Sequence, residues 1–304
     1  MTQPLTNIGS RPAAYGPAEY GITFTLALVW GSAFLWIALG VDHMAPGVVA
    51  FGRLVLGAGA LAVFSRARKR IDRDDWARIL VVALVGNAAP ALLFAMAETQ
   101  ISSSIAGMIT SGTPVLALVV SSIFLRRLPG RAQAVGIGVA FAGIAMMTVP
   151  SLGGAEAAPL GIALVLLATI GYAINANLLV PLQQKYGGMA VTLWGLIVAS
   201  VFLTPFAAVG LDESEFVASA VIAVVILGII GTGLARALAT TLAGRVGGPR
   251  MTTTTYLIPI VAIILGVTFR DEVVEPIALF GVVIVLIGAY TATRAVKNVS
   301  AKNS

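Results

Sequence analysis

Residues 111–144 read SGTPVLALVVSSIFLRRLPGRAQAVGIGVAFAGI, and residues 256–289 read YLIPIVAIILGVTFRDEVVEPIALFGVVIVLIGA. Aligned at an offset of 145 residues, the two stretches pair without a gap. The residues that coincide are Pro114/Pro259, Ala117/Ala262, Phe124/Phe269, Gly136/Gly281 and Gly143/Gly288, with Gly86/Gly231 further upstream. Matched Ala means little in so apolar a chain, but matched Pro and spaced Gly impose backbone geometry or close packing. The sequence therefore predicts an internal repeat.

The loops inside the two copies carry opposite charge. Their charged residues are Arg126, Arg127 and Arg131 in the first copy, and Arg270, Asp271, Glu272 and Glu275 in the second. Related halves with oppositely charged loops are expected when a repeat of an odd number of helices is inserted twice in opposite orientations. Inverted repeats with a solute site at their interface are a common transporter plan. The repeat therefore points to a transporter.

The composition assigns the chain to the membrane. Hydrophobic residues make up 58% and charged residues 11% of the sequence, whereas soluble domains carry about 25% charged residues. The chain has no Cys and one His, so we expect no disulfide, no metal site and no cofactor. The net charge of +6 does not indicate nucleic acid, because the basic residues lie in short runs between apolar segments.

Apolar segments near the ~20 residues that a helix needs to cross the hydrocarbon core recur along the chain. The predicted spans are 20–40, 45–64, 78–98, 102–124, 132–150, 159–181, 188–208, 216–243, 251–269 and 276–292. We expect an all-α integral membrane protein with ten transmembrane helices, built as two inverted five-helix repeats. The predicted repeats are 20–150 and 159–292, between a flexible cytoplasmic tail at 1–19 and a second cytoplasmic tail at 293–304.

The positions of Lys and Arg predict the orientation. With the N-terminus in the cytoplasm, the cytoplasmic segments hold 16 of the 19 basic residues and the outer loops hold only Arg270. Arg53 and Arg236 fall within spans. Because cytoplasmic loops carry the excess of basic residues, we expect a multi-pass protein of the cell (inner) membrane with both termini in the cytoplasm.

Several motifs resemble the EamA family of the drug/metabolite transporter superfamily across nearly the whole chain. They are Trp30-Gly31-Ser32-Ala33-Phe34, Phe51-Gly52-Arg53-Leu54, the stretch from Ala97 to Pro114, and Glu272 nine residues before Gly281. At the position equivalent to Glu272, the first half has Arg127, which departs from the family pattern. The resemblance implies a 5+5 bundle around a central cavity, alternating access, and export of amino acids or other metabolites.

Seven residues are predicted to bind the solute: Trp30, Ser32, Asn87, Tyr172, Asn175, Arg236 and Tyr256. Arg236 is the most costly, because a central arginine costs ~2.5–3.5 kcal/mol on insertion scales. It either contacts an anionic group of the solute or serves as a structural or snorkelling arginine. The aromatic residues either form a cavity wall or belong to interfacial belts. The polar ones either face the path or hydrogen-bond between helices.

Four further residues are predicted to gate or couple transport. Arg53 is expected to pack helices or form a gate, with solute contact as the alternative. Pro114 and Pro259, inside spans four and nine, are expected to act as hinges or to shape the cavity. Glu98 near the end of the third helix is either a proton carrier or a solvated helix-end residue.

Competing functions are tested by the motifs they require. A membrane-embedded hydrolase lacks an activated nucleophile and base, and an ATP-driven pump lacks the GxxxxGK[ST] motif, so we expect no enzyme. No filter-like loop indicates a channel. The prediction is a secondary transporter of a small metabolite, an amino acid or related organic solute, working in efflux. A flippase of lipid or lipid-linked solutes is the alternative, and membrane lipids are expected partners in either case. Proton coupling, exchange and uniport stay open.

Overall fold

The computed structural model describes residues 16–124, 128–152, 158–246 and 251–302. These residues form helices joined by short loops, and no strand occurs among them. The α-helices are α1 (Pro17–Val41), α2 (Pro46–Ala62), α3 (Trp76–Ala83), α4 (Ala89–Ala97), α5 (Ser103–Thr110), α6 (Thr113–Phe124), α7 (Arg131–Leu152), α8 (Ala158–Tyr186), α9 (Gly188–Gly210), α10 (Ala218–Ile226), α11 (Ala235–Val246), α12 (Ile258–Arg270) and α13 (Pro276–Lys302). Short 3-10 turns occupy Ser65–Arg68, Arg73–Asp75 and Thr252–Tyr256.

The described residues contain fewer helices of membrane-spanning length than the ten spans that the sequence predicts. Six helical runs are long and apolar enough to cross a membrane, or seven if the bent pair of α5 and α6 is one span. Three further apolar helices are shorter, namely Pro46–Ala62, Thr254–Arg270 and Pro276–Ala292. Every predicted span overlaps a helix, but the count of ten spans stays a prediction.

Both ends of the helical part extend into segments predicted as tails. Helix α1 begins at Pro17 because proline at the first helical position already has the required φ. Helix α13 continues to Lys302, since no Gly or Pro after Ala289 ends it. Residues 1–15, and the loop residues Arg126 and Arg127, lie outside the described residues.

Pro114 and Pro259 begin helices rather than interrupt them. Pro114 is the second residue of α6, and α6 is bent by 41° from α5 across a two-residue turn. Pro259 is the second residue of α12, which follows the 3-10 turn that ends at Tyr256. Proline is tolerated in the first helical turn because its missing N–H has no intrahelical partner there. The two equivalent prolines therefore mark equivalent breaks in the fourth and ninth predicted spans.

Two π-helical segments occupy equivalent positions in the two halves. The first is Leu84–Ala88, between α3 and α4, and the second is Leu227–Leu234, between α10 and α11. At the repeat offset of 145 residues, Gly86 in the first corresponds to Gly231 in the second. Such segments redirect backbone groups away from the regular ladder and are frequent at functional sites. The apolar pattern of the sequence did not predict them.

A glycine seam joins α7 to α13, the last helices of the two halves. A Cβ atom on Gly143 would lie 2.6 Å from the carbonyl oxygen of Gly281, and one on Gly136 would lie 2.8 Å from that of Gly288. Because the earlier residue of one helix meets the later residue of the other, the two helices pack antiparallel. The matched glycines thus allow backbones to approach closely, as small residues do between membrane helices.

One end of the bundle is closed by the Glu272 clasp, formed by Glu272, Ser103, Ser104, Arg270 and Asp42. One carboxylate oxygen of Glu272 accepts hydrogen bonds from the backbone nitrogen and hydroxyl of Ser103 at 2.9 and 2.7 Å. The other accepts from the backbone nitrogen of Ser104 at 2.9 Å and from its hydroxyl. An anion at a helix N-terminus is stabilised by unpaired N–H groups. Arg270 binds Asp42 at 2.6 and 3.1 Å and so ties α12 to the end of α1.

The opposite end holds the Lys185 clasp, formed by Lys185, Tyr186, Asp72 and Asp75. The ammonium of Lys185 lies 2.7 Å from a carboxylate oxygen of each aspartate, and the Tyr186 hydroxyl donates to Asp75 at 2.7 Å. The hydrogen bond from Lys185 holds the pKa of the Asp72 carboxyl below its usual range. Each end of the bundle is therefore joined by charged contacts, with the long helices between them.

Candidate functional site

The interior of the bundle contains a cavity of about 850 Å³, which includes space open to solvent. Five of the residues singled out from the sequence line it, namely Trp30, Arg53, Tyr172, Asn175 and Arg236. They come from α1, α2, α8 and α11, and so the cavity draws on both halves of the chain. A pocket of mostly apolar lining with a few convergent polar groups is the usual form of a small-molecule site.

Arg236 is held by neighbours on two sides. Its Nη1 atom donates to the carbonyl oxygen of Gly86 in the first π-helical segment at 2.7 Å. Its Nη2 atom lies 3.4 Å from the Tyr172 hydroxyl, and the guanidinium carbon lies 5.4 Å from the centroid of that ring. The Nε atom is buried and has no hydrogen-bond partner. The side chain therefore lines the cavity, which argues against a snorkelling arginine, and these contacts use two of its five N–H groups.

Trp30, on α1 in the first half, makes the equivalent contact with the second half. Its indole nitrogen donates to the carbonyl oxygen of Gly231 in the second π-helical segment at 3.3 Å. Gly231 is the repeat equivalent of Gly86. Each π-helical segment thus presents one glycine carbonyl to a side chain that lines the cavity, an arginine in one case and a tryptophan in the other.

Arg53 is the second cation at the cavity. Its side chain is on α2, and its Nε atom donates to the hydroxyl of Thr232 at 3.0 Å. The residue is only 6% exposed. Among the residues that the structure describes, no carboxylate lies within 4.0 Å of either Arg53 or Arg236. Buried charges are usually paired. These two guanidinium groups are therefore unusual in having no carboxylate within that distance among the described residues.

Asn175 and three aromatic rings form another part of the wall. Asn175 is 9% exposed, its side chain packs on Gly86, and its Oδ1 atom is buried without a partner. Tyr172 stacks on Phe94 with the centroids 5.8 Å apart, and Phe94 meets Phe34 edge-on at 5.6 Å. The cavity therefore combines a large aromatic surface with the amide group of Asn175 and the guanidinium group of Arg236.

Three residues predicted to bind solute lie outside this lining. The Ser32 hydroxyl donates to the carbonyl of Val29 at 3.0 Å, and the Asn87 amide donates to the carbonyl of Val82 at 3.2 Å. Tyr256 packs beside the small cluster around Val115 and Ala140. The hydrogen bonds of Ser32 and Asn87 therefore go to carbonyls three and five residues earlier in the chain, and not to another helix.

Glu98 is buried rather than solvated, which contradicts the alternative of a solvated helix-end residue. It is 8% exposed, and neither of its carboxylate oxygens has a hydrogen-bond partner. It follows the last residue of α4 and lies one helical turn beyond Phe94, whose ring lines the cavity. Residues four apart share a face of a helix, so Glu98 lies between the cavity and the Glu272 clasp.

The lining also contains residues that the sequence reasoning missed. They are Ala33, Phe34, Ile37, Phe94, Thr110, Ala176, Leu179, Ala239, Thr240, Met251, Thr255 and Ile258. A signal for many of them was present, because Trp30, Ala33, Phe34 and Ile37 follow the spacing i, i+3, i+4, i+7 of one helix face. Residues 172, 175, 176 and 179 of α8 repeat that spacing. Extending each aromatic candidate along its helix face finds these residues.

A bundle of apolar helices around a polar and aromatic cavity is the kind of membrane protein that holds a small solute within the bilayer. The sequence profile of the EamA-like transporter family matches residues 19–149 and 159–294. The chain belongs to this family, which confirms the resemblance seen in its motifs. The two matched segments overlap the predicted repeats, 20–150 and 159–292.

Several relatives carry names that agree with transport. An uncharacterized transporter of Archaeoglobus fulgidus is 30% identical over 177 residues, which cover 58% of this chain and 63% of that protein. A probable terminal-alkyne amino-acid exporter of Streptantibioticus cattleyicolor is 25% identical and covers 87% of this chain and 89% of its own. A probable amino-acid metabolite efflux pump of Escherichia coli is 24% identical, covering 88% and 92%. The match to the Archaeoglobus protein thus spans less than two thirds of its length.

The fold also occurs among solved structures. One crystal structure superposes with a TM-score of 0.66 at 16% sequence identity, covering 93% of this chain and 98% of that one. At this identity the likeness concerns the fold alone.

Proposed function

We propose that the protein is a secondary transporter that exports a small organic solute, an amino acid or a related acid, across the cytoplasmic membrane by alternating access. The observation that carries the proposal is the presence of two guanidinium groups, Arg53 and Arg236, in one aromatic cavity. Among the described residues, neither has a carboxylate within 4.0 Å. In low-dielectric surroundings such groups favour an anionic ligand. The names of two relatives, an amino-acid exporter and an amino-acid metabolite efflux pump, support this class of solute.

The proposed architecture is ten spans in two inverted five-helix halves, with both termini in the cytoplasm. The antiparallel glycine seam between α7 and α13 and the equivalent π-helical segments support the inversion. Helix α1 is about 37 Å long at 1.5 Å rise per residue, and the Glu272 clasp includes Asp42, which follows its last residue. Alternating access requires each end to open in turn, and so the clasps are the contacts that must break and reform.

In this proposal Arg236 binds the carboxylate of the solute. Each of its Nη atoms carries two N–H groups. Gly86 and Tyr172 each accept one of them, so one N–H on each Nη atom is left for the solute. Arg53 supplies the second positive charge. Its hydrogen bond to Thr232 joins α2 to the second π-helical segment. A guanidinium whose orientation is already fixed loses less entropy when it binds a carboxylate.

The test is solute counterflow in proteoliposomes together with a lipid scrambling assay. We expect saturable counterflow of one class of organic solutes and no movement of labelled lipid. Arg236→Gln should weaken apparent affinity about 10–100-fold, because hydrogen bonds to charged groups contribute about 1.5–3 kcal/mol. The matched control is Arg245→Gln. Arg245 is an exposed arginine of the same helix, and its Nη1 atom lies 3.6 Å from a carboxylate oxygen of Glu19.

Two outcomes would contradict this function. Scrambling of labelled lipid without solute counterflow would favour the flippase. Normal counterflow by Arg236→Gln, with Arg236→Leu lowering only expression, would remove the solute-binding role of Arg236.

The energy source proposed is a proton carried by Glu98. Its buried carboxyl has no hydrogen-bond partner, and the charged groups around it are Arg53, Asp42, Arg270 and Glu272. A carboxyl buried without a partner favours the neutral, proton-bearing form. We expect solute uptake driven by a pH gradient to be lost in Glu98→Gln, while counterflow without a pH gradient is kept. Gradient-driven transport that survives Glu98→Gln contradicts the coupling.

A further inference from the structure

The described lining of the cavity carries positive charge without any negative charge. Arg53 and Arg236 are its cations, and no Asp or Glu is among its described lining residues. Glu98 lies one turn beyond Phe94 and does not line the cavity. A solute that enters therefore meets donors for an anion and no carboxylate for a cation.

An α-amino acid carries both charges, and its ammonium needs a partner. The polar side-chain groups of the described lining besides the arginines are hydroxyls, the Trp30 indole N–H and one amide, and they include Thr110, Thr113 and Asn175. These are neutral, and a desolvated ammonium without a carboxylate partner is costly. Like charges placed side by side at a binding site cost several kcal/mol more.

Three of the four aromatic rings that line the cavity do not replace the missing carboxylate, because they already contact Arg236 or one another. The fourth, Trp30, is held by the hydrogen bond of its indole nitrogen to Gly231. An ammonium can bind on the face of an aromatic ring, but the Tyr172 ring already receives Arg236 at 5.4 Å and stacks on Phe94. Phe94 in turn meets Phe34 edge-on. The wall is therefore suited to an apolar or aromatic body of the solute, with its carboxylate towards the arginines.

We propose that the cavity selects carboxylic acids with an aromatic or apolar body and no ammonium group over the corresponding free α-amino acids. This inference rests on the proposed transport function and narrows its solute class.

The test uses three compounds that share one phenyl ring and a short chain. They are 3-phenylpropanoate, which has only the carboxylate, L-phenylalanine, which has both charges, and phenethylamine, which has only the ammonium. Binding to the detergent-solubilised protein is measured as the concentration-dependent rise in unfolding temperature. We expect 3-phenylpropanoate to bind at least roughly tenfold more tightly than L-phenylalanine, and phenethylamine not to bind.

Variants separate charge from shape. Arg53→Gln should reduce the preference for 3-phenylpropanoate over L-phenylalanine, because one of the two cations that repel the ammonium is removed. Arg245→Gln, outside the cavity, should leave the preference unchanged. If Arg53→Gln lowers expression, Arg53→Lys serves instead and should keep the preference, since it keeps the charge.

L-Phenylalanine binding as tightly as 3-phenylpropanoate overturns the inference, and so does the absence of binding by 3-phenylpropanoate. Neither result affects the proposed transport function, which is judged by counterflow. Counterflow of L-phenylalanine in preference to the acid sinks the inference alone, whereas lipid scrambling without counterflow of any solute sinks the function itself.

Discussion

The two π-helical segments are equivalent in the chain and differ in what they hold. The carbonyl of Gly86 in the first accepts a charged hydrogen bond from Arg236, while that of Gly231 in the second accepts a neutral one from the Trp30 indole. The backbone is thus repeated, and the side chains around it are not. The difference teaches that the repeat supplies the frame of the site, whereas its charge comes from residues that the halves do not share.

The surroundings of the two glycines differ as well. A Cβ atom on Gly86 would collide with the side chain of Asn175, whereas one on Gly231 would find only Leu227 Cδ1, at 3.6 Å. The first segment is packed against the cavity wall, and the second has room. Substitutions in the two segments and in the side chains around them test this asymmetry.

The largest effect is expected from Gly86→Ala. Its methyl group must displace the buried Asn175 side chain, and overpacking of this kind costs about 1–3 kcal/mol. Thermal unfolding of the solubilised protein should report the loss, and solute affinity should fall because Asn175 leaves its place in the wall. Gly231→Ala is the matched control and should be neutral or slightly stabilising, by up to ~1 kcal/mol. Equal losses in the two variants would mean that the segments are packed alike.

A smaller effect is expected from Trp30→Phe. The substitution keeps an aromatic ring in the wall but removes the donor to the Gly231 carbonyl, which is worth about 1 kcal/mol for a neutral hydrogen bond. We expect a lower unfolding temperature with solute affinity reduced less than about tenfold. A loss as large as that of Arg236→Gln would show that the two contacts, charged and neutral, are equivalent in function.

The smallest effect is expected from Tyr172→Phe. The hydroxyl of Tyr172 lies 3.4 Å from Arg236, a long hydrogen bond, while its ring contacts Arg236 and Phe94 in either variant. Affinity should change by less than about threefold, corresponding to under ~0.7 kcal/mol. Counterflow kinetics measure the change. A tenfold loss would assign the hydroxyl itself to the solute rather than to the orientation of Arg236.

The sequence could predict the parts of the fold that depend on length and on backbone-restricting residues. The apolar segments follow from the thickness of the bilayer, and Pro114, Pro259 and the matched glycines follow from backbone geometry. The π-helical segments could not be predicted, because a shift of the hydrogen-bond ladder by one residue leaves the apolar pattern almost unchanged. The same is true of the carbonyls that they present.

The candidate site was predicted in part for a related reason. Trp30 and Ser32 were both selected, yet residues two apart on an α-helix point about 200° apart, at 3.6 residues per turn. Only Trp30 lines the cavity, and Ser32 bonds its own helix. The sequence does not predict the burial of Glu98, because the burial comes from the packing of helices around it. Helix rotation and tertiary burial are set by packing, which one sequence does not specify residue by residue.

The glycine seam also bears on how substitutions combine. Gly143 and Gly281 contact each other through their backbones, and Gly136 and Gly288 do the same at the other end of the seam. A methyl group on either member of a pair separates the same two helices, so a second methyl group enters a gap that the first has already opened. Free energies of unfolding are not additive for residues in direct contact. The two halves of the chain are therefore coupled by epistasis at the seam, and each limits how far the other can diverge there.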